Sequence, residues 1–257
     1  MIVDVKGARM VSDVFIEMFD RLPRQGPGKN ECTKKAFEIL SELPERPHIL
    51  DIGCGSGMQT LLLAQLSGGK VDALDLYRIF LDDLNERAMK KGISDNIRTC
   101  VGSMTDLPYE KDSFDLIWAE GSIYIMGFKE GVSYWKQFLK NKGYICVSEI
   151  NWLKDNPSEK AISYWNNYPE VSMKTVEENK ETISEIGFDC IDIFILPESA
   201  WWDYYHPLEL RLEEMKKKYS ENAEFNEFSK EIYEEMEIYK ECSDDYGYVF
   251  YIMKKKE

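Results

Sequence analysis

Gly53, Gly55 and Gly57 follow the apolar run His48-Ile-Leu-Asp-Ile52 at alternate positions, with Cys54 between the first two, and a helical pattern starts at Met58. Glycines so placed let the backbone turn tightly and let a ligand lie directly against it. Strand, glycine turn and helix in that order make a nucleotide-type cradle at the carboxyl end of a parallel sheet. The alternative is a purely structural tight turn. A dinucleotide fingerprint counted from Gly53 requires its third glycine at position 58, where the chain has Met58, and the third glycine falls instead at Gly57. Asp51, two residues before the first glycine, also departs from the NAD pattern.

Further candidates follow downstream. Asp75 ends the run Val71-Asp-Ala-Leu-Asp75, where a carboxylate can accept two hydrogen bonds from a ribose diol, and Leu76 offers an apolar surface for a base. A solvated strand-end carboxylate is the plainer reading of Asp75. In Gly102-Ser103-Met104, backbone amides and the Ser103 hydroxyl can read an adenine edge with Met104 against its face.

Catalytic candidates on the acceptor side are Glu120, in Trp118-Ala-Glu-Gly-Ser-Ile-Tyr124, together with Tyr124 and His206. Glu120 can face the cofactor, meet a cationic acceptor or act as a base, or be merely a solvated loop carboxylate. Tyr124 is an acceptor-side hydroxyl or a core residue, and His206 is either a structural or solvated loop histidine or, as a neutral imidazole, suited to proton removal. Glu149 and Trp152 end a further strand with the same ambiguity. The cluster Trp201, Trp202, Tyr204 and Tyr205 either lines an acceptor pocket or fastens its segment to the core. Arg24-Gln-Gly-Pro-Gly28 is a rigid turn that either folds over the bound ligand, with Gln25 or Arg24 near an acidic group of it, or simply joins two helices.

The elements that must position these residues alternate between about residues 33 and 196. Strands are expected at 48–52, 70–75, 97–101, 114–119, 143–149 and 189–196, and helices at 57–66, 78–91, 131–140 and 175–186. Thr33 is a candidate cap for a helix that Pro44 and Pro47 end, and Thr175 with Glu178 has capping-box spacing. This rhythm predicts an α/β, doubly wound, mostly parallel sheet with helices on both faces. A late strand, 246–253, makes seven and is expected antiparallel to 189–196. The chain reads as one domain: an N-terminal helical arm and first helix (1–46), a cofactor-binding core (47–196), a helical insertion or lid (197–246), and a last strand and tail (247–257).

The composition narrows the partners. With 32 basic and 47 acidic residues among 257, the net charge of −15 argues against nucleic acid and against an acidic membrane surface. Six dispersed cysteines without a CxxC, and only two histidines, point to free thiols in a cytoplasmic protein and to no metal site. No apolar run approaches a membrane span. A small-molecule acceptor and a monomer or homodimer are expected.

Together these segments resemble the class I S-adenosylmethionine-dependent methyltransferases, over about residues 33–196. The motifs stand in order: Asp51-x-Gly53-x-Gly55-x-Gly57, Asp75, Gly102-Ser103-Met104, Asp112-x-Phe114-Asp115-Leu116-Ile117 and Leu139-Lys-Asn-Lys-Gly143. The chain particularly resembles the small-molecule branch loosely grouped with ubiquinone- and sterol-type enzymes, several uncharacterised members of which share the 24–28 and 119–124 segments. The resemblance implies a Rossmann-like seven-stranded sheet with S-adenosylmethionine as cofactor. It also implies that the glycine turn approaches the methionine part of the cofactor and that Asp75 holds the ribose. Ser103 stands where the family commonly has Asp toward the adenine amino group. The implied reaction is an in-line methyl transfer to a small molecule. An NAD-dependent oxidoreductase on a similar sheet, or a non-catalytic binder of the same cofactor, are the alternatives.

Overall fold

Strands covered on both faces by helices read as near-continuous apolar runs, and the central strands here do so. The computed structural model describes residues 12–169 and 171–256. Strands β1 (His48–Ile52), β2 (Lys70–Asp75), β3 (Ile97–Val101), β4 (Phe114–Glu120) and β5 (Leu139–Trp152) form the parallel part of the sheet. Leu50 lies opposite Asp72 on one side and Ile117 on the other, so β1 is central. A two-residue strand β6 (Lys174–Thr175) joins the end of β5 in parallel. Strands β7 (Phe188–Ile195) and β8 (Tyr246–Lys255) complete the order β3-β2-β1-β4-β5-β8-β7.

The last strand is antiparallel to β7, as the sequence predicts, and it also inserts between β5 and β7. Burial accounts for that place. Tyr246 to Met253 are all buried, whereas in β7 only Phe188 is, and Ile191 and Ile195 stay exposed, as on an edge strand. Counting β6, the sheet has eight strands rather than the expected seven.

Nine helices are present among the described residues. They are α1 (Asp13–Phe19), α2 (Asn30–Glu38), α3 (Met58–Ser67), α4 (Arg78–Lys90), α5 (Phe128–Trp135), α6 (Glu159–Trp165), α7 (Val176–Glu185), α8 (Ser199–Tyr219) and α9 (Ala223–Cys242). Alternation along β4 sends Leu116 and Trp118 into a core shared with α1, α2, α8 and α9, and Ile117 and Ala119 into a second core under α5 and α7. Helices α3 and α4 close a smaller core over Ala73 of β2. The insertion is thus a two-helix cover on one face of the sheet. No helix among the described residues is long and apolar enough to cross a membrane.

Local differences from the sequence reading have local causes. Thr33 does not cap its helix: α2 starts at Asn30 after Lys29, and the Thr33 hydroxyl donates to the Glu120 carboxylate from inside the helix. Helix α2 also stops at Glu38, well before Pro44. The helix expected over 131–140 runs from Phe128 to Trp135, because one 3-10 turn at 136–138 leads straight into β5. Helix α6 and strand β6 carry no strong periodic signal and are found only in the structure. The capping box forms as expected, with the Thr175 hydroxyl accepting from the Glu178 amide and the Glu178 carboxylate accepting from the Thr175 amide. Part of the N-terminal arm, residues 1–11, lies outside the described residues.

Candidate active site

The carboxyl ends of β1, β2, β3 and β4 converge on one cavity of about 350 Å³. Gly53, Cys54 and Gly55 form its floor after β1, Asp75 and Leu76 its wall after β2, and Gly102, Ser103 and Met104 the side after β3. Gly121 and Ser122 close it after β4, and Gln25 of the arm reaches over the glycine turn. All three turn glycines take positive φ, from +54° to +77°.

Hydrogen bonds fix these groups to one another. The Asp75 carboxylate accepts the Gly55 amide at 2.8 Å and the Tyr77 amide at 2.9 Å. Burial still pushes its pKa above the ordinary value, against the pull of those amides. The Gln25 amide oxygen accepts the Ser56 amide at 2.8 Å, and the Gln25 side-chain nitrogen donates to Phe19 O at 3.3 Å and Leu22 O at 3.4 Å. Ser122 Oγ donates to Ile52 O at 2.9 Å, which packs the β4 loop on Gly53. The Ser103 hydroxyl pairs with Thr105 Oγ1 at 2.7 Å.

The structure corrects several of the sequence assignments. Asp51 does not reach the cavity. It is fully buried behind the turn, where Thr60 Oγ1 donates to it at 2.5 Å and Gln59 Nε2 at 3.4 Å, and burial raises its pKa to about 7. Gly57 also sits behind the floor, at the start of α3 against Leu84 of α4. His206 is on the outside: it is exposed, stacks on Trp202 at 5.2 Å and borders a separate surface groove. Two residues along a helix turn the side chain through about 200°, so His206 faces away from the cavity that Tyr204 lines.

Glu120 does border the cavity, but its carboxylate is occupied. It accepts from Arg24 Nη1 at 3.2 Å, Thr33 Oγ1 at 2.6 Å and Trp118 Nε1 at 3.0 Å, an arrangement that holds a carboxylate in place rather than freeing it as a base. Tyr124 and Tyr204 line the cavity together with Phe15 and Phe19 of α1. Trp201 and Tyr205 are packed into the core, and Trp202 lies at the outer groove, so most of that aromatic cluster fastens the insertion. Sequence reasoning missed Ser122, Gln59, Phe15 and Phe19. The i, i+4 pair Phe15 and Phe19 on an arm helix was the available signal.

Glu149 and Trp152 lie away from the cavity. Glu149 is fully buried in the sheet, its Oε2 meets no hydrogen-bond partner among the described residues, and burial raises its pKa well above 4.5. The folded protein therefore holds a proton there that the unfolded chain releases once pH passes 4.5. The stability linked to this group is full below that pH and falls as pH rises toward the raised value. Glu149→Gln should remove the slope, so that the variant gains in melting temperature over wild type between pH 5 and 8. A pH-independent difference would contradict the buried neutral acid.

All six cysteines are free, and no group of three or more metal-ligating side chains occurs among the described residues.

A doubly wound sheet with a glycine turn, a strand-end carboxylate and a cavity at its carboxyl edge defines a nucleotide-cofactor-binding α/β protein. Residues 45–244 match the family described as a methyltransferase domain. The chain belongs to that methyltransferase family. Methyltransferase GfsG of Streptomyces halstedii is 29% identical over 119 residues, 46% of this chain and 42% of that protein. Sarcosine/dimethylglycine N-methyltransferase of Aphanothece halophytica is 30% identical over 93 residues, 36% and 34% of the two chains. The matches thus span less than half the length of these curated relatives. A similar fold is found in the S-adenosylmethionine-dependent methyltransferase from Geobacter sulfurreducens, solved with S-adenosylhomocysteine. Its TM-score is 0.82 at 17% identity, covering 96% of this chain and 99% of that one.

Proposed function

We propose that this protein transfers a methyl group from S-adenosylmethionine to a small-molecule acceptor. The observation that carries the proposal is the single cavity in which Gly53–Gly55, Asp75, Gly102–Met104 and the tyrosines Tyr124 and Tyr204 meet. Its donor set fits the cofactor. Asp75 has lone pairs left for two ribose hydroxyls, Leu76 and Met104 offer apolar surface to the base, and the turn glycines leave backbone room for the methionine part. When bound, the cofactor supplies a methyl group already activated on its sulfonium.

The chain's task is then orientation and exclusion of water, and orientation alone supplies effective molarities on the order of 10⁵–10⁸ M. Burial, helped by the nearby Glu235 and Tyr124, raises the Tyr204 phenol well above its ordinary pKa. At neutral pH it positions an acceptor as a neutral hydrogen-bonding group and is not a base. The cavity's volume of about 350 Å³ and the sarcosine/dimethylglycine relative favour a small acceptor. The net charge disfavours nucleic acid, and the free thiols suit a reducing compartment such as the cytoplasm.

Incubation with methyl-labelled S-adenosylmethionine and a metabolite extract should yield labelled low-mass product and matching S-adenosylhomocysteine. Label confined to protein or nucleic acid would contradict a small acceptor.

A further inference from the structure

Two charged side chains from opposite ends of the cavity's construction meet in its wall. Arg24 comes from the N-terminal arm and Glu120 from the end of β4, 96 residues later, and their Nη1–Oε2 separation is 3.2 Å. The two side chains are only 8% and 4% exposed. We infer that the Arg24–Glu120 pair is the latch that docks the 24–28 turn over the cavity, which makes both of them positioning residues.

Both Glu120 oxygens and both terminal Arg24 nitrogens have partners. Glu120 Oε1 accepts from Thr33 and Trp118, and Arg24 Nη2 donates to Asn30 Oδ1 at 2.8 Å. Gly28 clears the path, since a Cβ there would stand 2.8 Å from Arg24 Nη1 and 3.2 Å from Glu120 Oε2. Its amide donates to Ala200 O at 3.1 Å, which ties the turn to the start of α8. Gln25, next to Arg24, accepts the Ser56 amide of the glycine turn, so placing the guanidinium also places Gln25. Beyond the turn the arm brings Phe15 and Phe19 to the cavity wall.

A buried charge deprived of its partner is costly, whereas the same charge in water is not. Loss of Glu120's charge is relieved most cheaply by lifting Arg24, and with it the turn, into solvent. That is a local opening and leaves the sheet intact. An open arm removes Gln25 from the glycine turn and lets water into the cavity. The docking stands on the geometry alone, while its consequence for the cofactor rests on the methyl-transfer reading.

Hydrogen exchange on the full chain tests the latch without any ligand. In Glu120→Gln and in Arg24→Met, amides of residues 19–28 should exchange at least about tenfold faster than in wild type. Amides of β4 and β5 should keep their rates. Calorimetric titration with S-adenosylhomocysteine should show a weakening of the same order in both variants, and the double variant should lose no more than the worse single. Wild-type exchange in the arm would overturn the latch, as would acceleration spread evenly over the sheet or losses that simply add. If Glu120→Gln does not fold, Arg24→Met decides, because it leaves the carboxylate its Thr33 and Trp118 donors. If the arm opens in the variants but wild type binds no S-adenosylhomocysteine, the methyl-transfer reading fails and the latch stands.

Discussion

Asp75→Ala is expected to weaken binding of S-adenosylhomocysteine by about a hundredfold, from the loss of hydrogen bonds to a charged group worth roughly 1.5–3 kcal/mol each. The carboxylate serves two purposes at once. It accepts the Gly55 and Tyr77 amides, which fixes the glycine turn against the end of β2, and it presents its remaining lone pairs to the cavity. Alanine removes both, so the ribose loses its acceptor and the turn its brace. The fold should survive, because burial already penalises this charge and its removal returns part of that penalty. Calorimetric titration beside far-ultraviolet circular dichroism separates the two effects. Unchanged affinity would mean that Asp75 does not hold the ribose.

Gly57→Ala should be the most damaging single-methyl change in the cradle. The residue has φ +77°, a conformation that costs an L-residue about 1–2 kcal/mol. The added methyl would also collide with the Leu84 side chain, which is fully buried between α3 and α4. Overpacking adds about 1–3 kcal/mol, so the total is a large part of an ordinary domain's 5–15 kcal/mol. Gly68→Ala is the control: it has φ +57° and nothing within 4 Å of the new methyl. Denaturant unfolding should show a loss for Gly57→Ala exceeding that for Gly68→Ala by about the overpacking term. Equal losses would contradict the view that α4 packs directly on this glycine.

The parallel half of the sheet was legible because its strands are short apolar runs punctuated by glycine and by polar ends. One side of the cavity was legible for a related reason: close backbone approach needs glycine, and Gly53, Gly55 and Gly102 all line it. The pairing of Tyr246-Gly-Tyr-Val-Phe-Tyr-Ile-Met253 with β7 was legible as well, but its place inside the sheet was not predicted, although its unbroken apolar run differs from the acid-bearing edge strand Phe188-Asp-Cys-Ile-Asp192.

What the sequence hid depends on rotation and on distant partners. His206 and Tyr204 are two residues apart in a segment readable as helix, yet only the helix's rotational setting shows which one faces the cavity. Glu120 has the chemistry of a base, and nothing near it in sequence reveals that Arg24 and Thr33 will occupy its oxygens. Asp51 belongs to the glycine motif but braces it from behind through Thr60. Gly57 likewise supports the turn by admitting Leu84 and does not contact the cavity.

The central claim, that this cavity is built for S-adenosylmethionine, is tested most directly by measuring the thermal stability of the wild-type protein with S-adenosylhomocysteine and, separately, with NADH. A ligand held by the folded state alone raises stability by about 2.7 kcal/mol at a hundred times its dissociation constant. A clear rise in melting temperature with S-adenosylhomocysteine and none with NADH is the expected result. Stabilisation by NADH and not by S-adenosylhomocysteine would contradict it.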